Sequence, residues 1–321
     1  MNSDMPEVLQ ERLKRQGYHI LGARGAFKAC QWQRKSLTQG HSCYKERFYG
    51  IESHRCLQMT PVVDKCTEAC SFCWRVTPGD VGISWEQTKV SEEDVMQPEE
   101  LLNATLKANL QSLGGYNPEI AMEVSQDKYK EARDPKHLAI SLAGEPTLYP
   151  YLSGLIEEAG RRDMTTFLVT NGTQPKVLEE ITQPTQLYIT LAAPDEKTYK
   201  TVCRPVQSDG WARLQESQEL LRSLSGRRVN RLTMTAGLNM QNPRAYADMI
   251  LKGEPDFVEV KGYMFLGSSR ERLDRTNAPS HRDIRAFSEK IADLTGYTVQ
   301  DEQIESRVVL LSSSRKLGKI Q

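Results

Sequence analysis

The sequence lacks any long run of apolar residues. No stretch of its 321 residues approaches the roughly 20 apolar residues that a membrane-spanning helix needs. The first thirty residues also carry too many charged side chains for a secretory signal. We therefore expect a cytoplasmic protein without a membrane segment.

The chain also lacks an excess of charge of either sign. Its 42 lysines and arginines balance 42 acidic residues, so the net charge is zero. The composition therefore gives no overall signature of nucleic-acid binding, although a local basic surface stays possible because attraction depends on patches. The 38% of hydrophobic residues and 26% of charged residues are typical of a folded globular protein.

Cysteine is nearly absent from the last three quarters of the chain, where Cys203 stands alone. The other six cysteines lie between positions 30 and 73. In a reducing cytosol such a set does not favour a disulfide scaffold, and its crowding favours metal binding. We interpret Cys203 as an ordinary thiol, and the five histidines show no spacing typical of metal ligands.

Predicted strands and helices alternate along most of the chain. Apolar runs predict strands at 55–63, 137–144, 165–172, 186–193, 230–237, 256–267 and 305–316. Helical patterns lie at 6–17, 98–115, 150–162, 174–182, 211–224, 243–253 and 281–296. This alternation predicts an α/β fold with six βα units around a parallel sheet. Six units are too few for a closed eight-unit barrel, so we predict a partial (βα)6 barrel.

This pattern divides the chain into three predicted parts. Residues 1–54 form an N-terminal extension, residues 55–300 form the barrel core, and residues 301–321 form a C-terminal strand and tail. Residues 76–98 are polar and rich in turn-forming residues, so we interpret them as a loop or excursion.

Three cysteines stand close together in DKCTEACSFCWR, residues 64–75, where Cys66, Cys70 and Cys73 form C-x3-C-x2-C. A 4Fe–4S cluster held by three thiolates keeps one iron open for a substrate. The loop follows the first predicted strand, at the sheet edge where parallel α/β folds place their chemistry. Two alternatives stay open at this point, a zinc site completed by a remote ligand such as His54 or Cys203, and buried free thiols.

The remaining three cysteines, Cys30, Cys43 and Cys56, are spaced C-x12-C-x12-C. Three thiols again suggest a cluster with one open iron. The loose spacing leaves scattered core or surface cysteines as an equal alternative.

The first cysteine loop, with Phe72 before its last cysteine, resembles the signature of the radical S-adenosylmethionine (SAM) enzymes. AGEPT (143–147) resembles their Gly-Gly-Glu-Pro motif, with Ala143 in place of the first glycine, and LVTNG (168–172) resembles the end of their third strand. The resemblance implies that the open iron binds SAM and that the reduced cluster cleaves it to methionine and a 5′-deoxyadenosyl radical. It also implies six cofactor-binding residues, namely Phe72, Ala143, Gly144, Glu145, Thr170 and Asn171.

The segments KACQWQRKSL, HSCYKERFYGI and SHRCLQM together resemble the N-terminal region of the archaeal-type tRNA 4-demethylwyosine synthases. The resemblance covers about residues 20 to 310. It implies that Cys30, Cys43 and Cys56 bind an auxiliary 4Fe–4S cluster in an extension ahead of a radical SAM barrel. Eukaryotic relatives carry a flavodoxin-like domain for which this chain has no room, so we expect a monomer served by an external flavodoxin or ferredoxin.

The resemblance further implies a substrate, N1-methylguanosine in phenylalanine tRNA, and a carbon donor, pyruvate. A radical on the N1-methyl carbon would add to pyruvate, the carboxyl carbon would be lost, and a third ring would close to give 4-demethylwyosine. Lys45 matches the lysine that is proposed to form a Schiff base with pyruvate in this family, a role that a lysine amine can fill. The open iron of the auxiliary cluster is an alternative anchor for pyruvate.

Two other functions compete with this interpretation. One is a radical SAM enzyme with another substrate, such as an activase acting on a partner protein, and the other is a non-catalytic zinc protein that binds RNA.

A tRNA substrate also requires basic and aromatic side chains at the protein surface. The basic candidates are Arg24, Lys28, Arg34, Lys35 and the stretches 226–231 and 268–275, and the aromatic ones are Trp32, Tyr44, Tyr49 and Trp74. Each charged stretch is more often a solvated face, and each aromatic is more often part of the core. Thr235, Lys261 and Tyr263 either face a cavity or pack inside the protein.

Overall fold

The computed structural model describes residues 5–83, 90, 92–314 and 318–320. These residues divide into two units. The first unit contains those within Met1–Asp64, Lys89–Leu168 and Gly318–Gln321, and the second contains those within Lys65–Thr88 and Val169–Leu317. The three parts predicted from the sequence, 1–54, 55–300 and 301–321, stay a prediction.

The first unit combines a mixed sheet with helices. Its elements are α1 (Glu7–Arg15), β1 (His19–Leu21), β2 (Gly25–Phe27), α2 (Gln31–Thr38), α3 (Tyr44–Tyr49), β3 (Cys56–Thr60), α4 (Pro98–Leu113), α5 (Gln126–Ala132), β4 (His137–Ile140), α6 (Leu152–Arg161) and β5 (Thr165–Thr170). Strands β1, β2 and β3 are antiparallel neighbours, whereas β3, β4 and β5 are parallel.

The sequence explains why the central elements of this unit form where they do. Helix α4 begins with Pro98 and the acidic Glu99 and Glu100, which suit the first turn because proline needs no donor there and carboxylates favour the positive end of the helix. All four residues of β4 are buried, as expected for a strand that has neighbours on both sides of a parallel sheet.

The second unit continues the alternation of strands and helices. Its elements are α7 (Pro175–Glu180), β6 (Gln186–Thr190), α8 (Glu196–Val202), α9 (Gly210–Leu221), β7 (Arg227–Met234), α10 (Pro243–Gly253), β8 (Phe257–Gly262), α11 (His281–Thr295), β9 (Thr298–Gln303) and β10 (Val308–Ser312). Strands β6, β7 and β8 are parallel, and β10 lies antiparallel between β8 and β9. Among the described strands, β1 and β9 each have one neighbour, so the strands do not close into a barrel.

Several elements were missing from the sequence prediction. Strands β1 and β2 have three residues each, which is too short for a hydrophobic period to show. Strand β9 has the sequence TVQDEQ, with one buried residue among six, and it carries no apolar run. The predicted strand 305–316 is shorter, Val308–Ser312, and its last two residues lie outside the described part of the chain.

The predicted excursion at 76–98 contains two short 3-10 helices, Pro78–Val81 and Glu92–Asp94. Residues 84–89 and 91 of that prediction lie outside the described residues. No helix in the described part of the chain is both long and apolar enough to span a membrane.

The basic stretch 226–231, a candidate tRNA contact, lies mainly in β7, where its arginines form ion pairs with neighbouring strand residues. Arg228 pairs with Asp256 at 3.2 Å, and Arg231 pairs with Glu259 at 2.8 Å. Both carboxylates are buried, with side chains 1% and 0% exposed. These arginines therefore stabilise the sheet of the second unit, and the interpretation of this stretch as a tRNA-binding surface is wrong for them.

Replacing Asp256 by alanine is expected to destabilise the protein by about 3–5 kcal/mol, because it leaves the buried Arg228 charge without its partner. The matched control is Asp248→Ala, which removes an exposed pair with Arg244 on one face of α10 and should cost less than about 1 kcal/mol. Anaerobic thermal unfolding of both variants and the parent measures the difference. Equal losses in the two variants would contradict the expectation.

Candidate active site

The loop that carries Cys66, Cys70 and Cys73 lies in the second unit and has a defined backbone conformation. The N–H of Cys73 donates to the carbonyl of Cys70 at 3.1 Å, which closes a turn between these two residues. The N–H of Ser71 donates to the carbonyl of Val202 at 2.8 Å, at the end of α8. All three cysteines are residues of intermediate exposure, and one short loop carries their three sulfur donors.

The end of β5 contacts this loop through Asn171. The Asn171 amide donates to the hydroxyl of Thr67 at 2.8 Å and approaches the Sγ of Cys66 at 3.8 Å. The preceding residue, Thr170, is buried, and its hydroxyl accepts the N–H of Gly172 at 3.1 Å. One of the predicted cofactor-binding residues, Asn171, therefore lies beside the first cysteine of the loop, and Thr170 directly precedes it in the chain.

Cys203 lies next to the cysteine loop in space, although it is far from the loop in the sequence. Its sulfur, the Cys70 sulfur and a Glu68 carboxylate oxygen lie within 4.8 Å of one another. The Cys70 thiol donates to Glu68 at 3.0 Å, and the Tyr199 hydroxyl donates to the other oxygen of that carboxylate at 2.7 Å. The hydrogen bond with Cys203, together with burial, raises the pKa of the Cys70 thiol. Cys203 is thus a direct neighbour of a predicted ligand, which no local pattern could have shown.

The AGEPT stretch lies in the first unit, after β4. The Ala143 carbonyl accepts the hydroxyl of Thr60 at 2.5 Å, and Gly144 has φ +71°, a conformation that favours glycine. Glu145 is 2% exposed and accepts the N–H of Thr147 at 3.1 Å, so its carboxylate caps the 3-10 helix Pro146–Leu148. The backbone here is shaped by local contacts, and the SAM-binding role of Ala143, Gly144 and Glu145 stays a prediction.

The second cysteine set is brought together in the first unit. Cys30 directly precedes α2, Cys43 directly precedes α3, and Cys56 begins β3. Burial raises the pKa of the Cys56 thiol to about 12, and the electrostatic influence of Cys30, Lys45 and Cys43 acts on the same thiol. Cys30 and Cys43 are therefore near enough to act electrostatically on Cys56, and the role of the three thiols as ligands of one cluster stays a prediction.

Lys45 lies in the first turn of α3, close to these thiols. Lys45 is only 9% exposed. Its Nζ lies 5.0 Å from the centre of the Phe167 ring in β5. Lysine is among the residue types that are least often buried. The surroundings of the amine include an aromatic ring and the Cys56 thiol, which suits an amine that forms a covalent bond with a small carbonyl compound.

Comparison with known proteins identifies the family. Residues 60–250 match the Radical SAM superfamily model, and residues 252–313 match a model described as Wyosine base formation. A Pyrococcus abyssi protein, named S-adenosyl-L-methionine-dependent tRNA 4-demethylwyosine synthase, is 48% identical over 97% of this chain and 90% of its own length. This chain belongs to the tRNA 4-demethylwyosine synthase family.

Two solved structures of the family share the fold. The structure of TYW1 with a lysine–pyruvate adduct bound has a TM-score of 0.88 and 34% identity, and it covers 98% of this chain and 99% of its own. The structure of an archaeal TYW1 has a TM-score of 0.80 and 31% identity with the same coverage. The predicted family, enzyme class and radical SAM α/β fold are therefore confirmed.

Membership of the radical SAM superfamily implies SAM and one 4Fe–4S cluster as cofactors. The donor set fits this group, because Cys66, Cys70 and Cys73 place three thiols on one short loop. The number of six βα units, the N-terminal cluster-binding extension and the second cluster stay predictions.

Some predicted tRNA contacts are excluded by burial. Arg24 is 2% exposed and forms an ion pair with Asp64, while Tyr44 and Tyr49 are 6% and 0% exposed. These three residues belong to the core of the first unit, so their interpretation as surface contacts is wrong. Among the other residues considered, Thr235 and Tyr263 are buried, and Lys261 donates to the carbonyl of Ser306 at 2.9 Å.

Other candidate tRNA contacts are not buried in the core. Trp74 is 41% exposed, and Arg34 is exposed. Lys28 lies 4.8 Å above the Tyr18 ring, and Lys35 lies 5.1 Å above the ring of Trp32. Within the run 268–275, Arg272 is an exception, because its guanidinium is bonded to the cysteine loop.

Proposed function

We propose that the enzyme converts N1-methylguanosine in phenylalanine tRNA into 4-demethylwyosine, with pyruvate as the carbon donor. The observation that carries this proposal is the buried Lys45, which acts electrostatically on the Cys56 thiol, as Cys30 and Cys43 also do. A family member has been solved with a lysine–pyruvate adduct, and Lys45 is the lysine of this chain whose surroundings suit such an adduct.

The first three-cysteine loop is proposed to hold the SAM-binding cluster through Cys66, Cys70 and Cys73. When bound, SAM and the reduced cluster supply a 5′-deoxyadenosyl radical that removes a hydrogen atom from the N1-methyl group. Asn171 supports the loop by bonding Thr67 at 2.8 Å. The residues Phe72, Ala143, Gly144, Glu145 and Thr170 are proposed, together with Asn171, to contact SAM.

Lys45 is proposed to activate pyruvate. Its unprotonated Nζ attacks the keto carbon, a carbon–nitrogen double bond forms, and the keto oxygen leaves as water. Burial beside Phe167 limits the access of bulk water, which would hydrolyse the adduct. After the third ring closes, hydrolysis or transfer of this bond returns the free amine.

Cys30, Cys43 and Cys56 are proposed to hold a second 4Fe–4S cluster next to Lys45. Its open iron is an alternative anchor for the pyruvate carboxylate and keto oxygen, and the two anchors can act in succession. We further propose that the enzyme is a cytoplasmic monomer that receives electrons from an external flavodoxin or ferredoxin.

Anaerobic incubation with SAM, a reductant, pyruvate and tRNA that contains N1-methylguanosine tests this function. Mass spectrometry of the digested tRNA should detect the tricyclic base. Pyruvate labelled with carbon-13 at the keto and methyl carbons should transfer both labels, and carboxyl-labelled pyruvate should transfer none. Formation of 5′-deoxyadenosine without the tricyclic base would reject the proposed substrate and leave only the superfamily chemistry.

Replacing Cys43 by alanine is expected to halve the iron content of the reconstituted enzyme, because one of two clusters loses a ligand. SAM cleavage should persist, since the loop of Cys66, Cys70 and Cys73 is intact. Iron analysis and electron paramagnetic resonance (EPR) measure the cluster content. An unchanged iron content in the variant would argue against the second cluster.

A further inference from the structure

The segment Gly267–Arg272 approaches the backbone that follows the cysteine loop very closely. Both parts lie in the second unit. The N–H of Ser268 donates to the carbonyl of Trp74 at 3.0 Å. Gly267 has φ +56°, and a Cβ atom there would lie 2.0 Å from the same carbonyl oxygen. Only glycine permits this approach, so the contact is built into the sequence of the segment.

Arg272 extends the contact to the loop itself. Its Nε donates to the carbonyl of Ser71 at 3.2 Å, and a terminal nitrogen donates to the carbonyl of Cys73. The other terminal nitrogen bonds the carboxylate of Asp80. One guanidinium therefore bonds two carbonyls of the loop and a carboxylate beyond it. A lysine ammonium has no planar set of donors and cannot reproduce this arrangement.

The environment of Arg272 makes these bonds strong. The Arg272 side chain is 11% exposed and that of Asp80 is 7% exposed, so water competes weakly for the same groups. Asp80 is itself fixed, because its carboxylate accepts the N–H of Thr77 at 2.7 Å. The guanidinium is thus held in place by a rigid partner while it bonds the residue that ends the C-x3-C-x2-C loop.

The two sides of this contact belong to different parts of the family sequence. The loop lies in residues 60–250, which match the Radical SAM superfamily, whereas Arg272 lies in residues 252–313, which match Wyosine base formation. A part of the chain that is particular to wyosine formation therefore shapes the loop that is common to the superfamily.

We propose that Arg272 is a positioning residue for the radical SAM centre, which fixes the loop conformation in which Cys73 ligates the cluster and the open iron binds SAM. This inference rests on the proposed role of Cys73 as a ligand. It does not depend on pyruvate or on the tRNA substrate. Failure of the tricyclic product would therefore leave it standing, provided that the cluster binds SAM.

The test compares Arg272→Met and Arg272→Lys with Arg270→Met, all reconstituted anaerobically. Arg270 is a matched control, because it belongs to the same 3-10 helix and bonds the carbonyl of Phe265 instead of the loop. The measurements are iron and sulfide content, EPR spectra of the reduced cluster with and without SAM, SAM affinity, and the unfolding temperature.

Arg272→Met is expected to weaken SAM binding roughly tenfold or more, because the loop loses charge-assisted hydrogen bonds to two of its carbonyls. It is also expected to alter the spectral change that SAM causes. Arg272→Lys should bind SAM several-fold more weakly than the parent, because an ammonium keeps the charge but not the planar set of donors. Arg270→Met should bind SAM as the parent does. If Arg272→Met does not fold, Arg272→Lys carries the test. The proposal is overturned if the cluster-loaded fraction of the folded Arg272 variants has the parent's spectra and SAM affinity, whatever the change in unfolding temperature.

Discussion

Replacing Cys70 by alanine is expected to reduce the formation of 5′-deoxyadenosine to background. Cys70 is the middle ligand of the proposed cluster, and its carbonyl accepts the N–H of Cys73 at 3.1 Å. The backbone turn survives the substitution, since alanine keeps that carbonyl, so the variant removes the sulfur together with its hydrogen bonds to Glu68 and Cys203. With two thiols the loop has too few ligands to hold a cluster with a single open iron.

The measurement is chromatography of the anaerobic reaction of SAM with a strong reductant, together with iron analysis of the loaded protein. Cys203→Ala is the matched control, because its sulfur lies within 4.8 Å of the Cys70 sulfur but stands outside the loop motif. The control should retain cleavage. Cleavage by Cys70→Ala at the parent rate would refute the ligand role, and loss in both variants would assign Cys203 to the centre as well.

Replacing Lys45 by alanine is expected to abolish the tricyclic base while SAM cleavage continues. Lys45 shares the first unit with the second cysteine set and lies beside the Phe167 ring, whereas the proposed ligands of the radical SAM cluster are Cys66, Cys70 and Cys73. Loss of the amine removes the carbon–nitrogen bond by which pyruvate would be held. The two activities should therefore separate in this variant.

Lys45→Arg is the matched control for charge, because arginine keeps a positive side chain but stays protonated and does not form a Schiff base. It should fail as completely as alanine. Borohydride reduction in the presence of pyruvate should attach the reduced three-carbon unit to the peptide that carries Lys45 in the parent enzyme only. Undiminished product from Lys45→Ala would remove the Schiff-base proposal and favour the auxiliary cluster as the anchor.

Regular elements with a clear hydrophobic period could be located from the sequence. Helix α10 was predicted at 243–253 and is observed at Pro243–Gly253, because proline begins it and an amphipathic pattern continues to its end. The first turns of α2 and α3 had no such signal, since both helices are short and directly follow a cysteine. The missed elements are thus those that depend on neighbours rather than on their own pattern.

The residues of the candidate site also differ in how well the sequence predicted them. The cysteine loop could be recognised because Cys66, Cys70 and Cys73 are close in sequence, a spacing that favours a shared metal group and that resembles a known signature. The prediction that Arg24 lies at the surface was wrong. Charged residues are mostly exposed, but the ion pair with Asp64 compensates the burial of the Arg24 charge.

The sequence by itself determined the spacing of two sets of three cysteines, and its resemblance to known enzymes indicated the family and the radical chemistry. Only the tertiary structure decided that Cys203 lies beside Cys70, that Lys45 is buried against Phe167, and that Arg272 bonds the loop. Each of these contacts joins residues that are distant along the chain. Such contacts are set by packing and by the need of buried polar groups for partners, and neither leaves a periodic trace in the sequence.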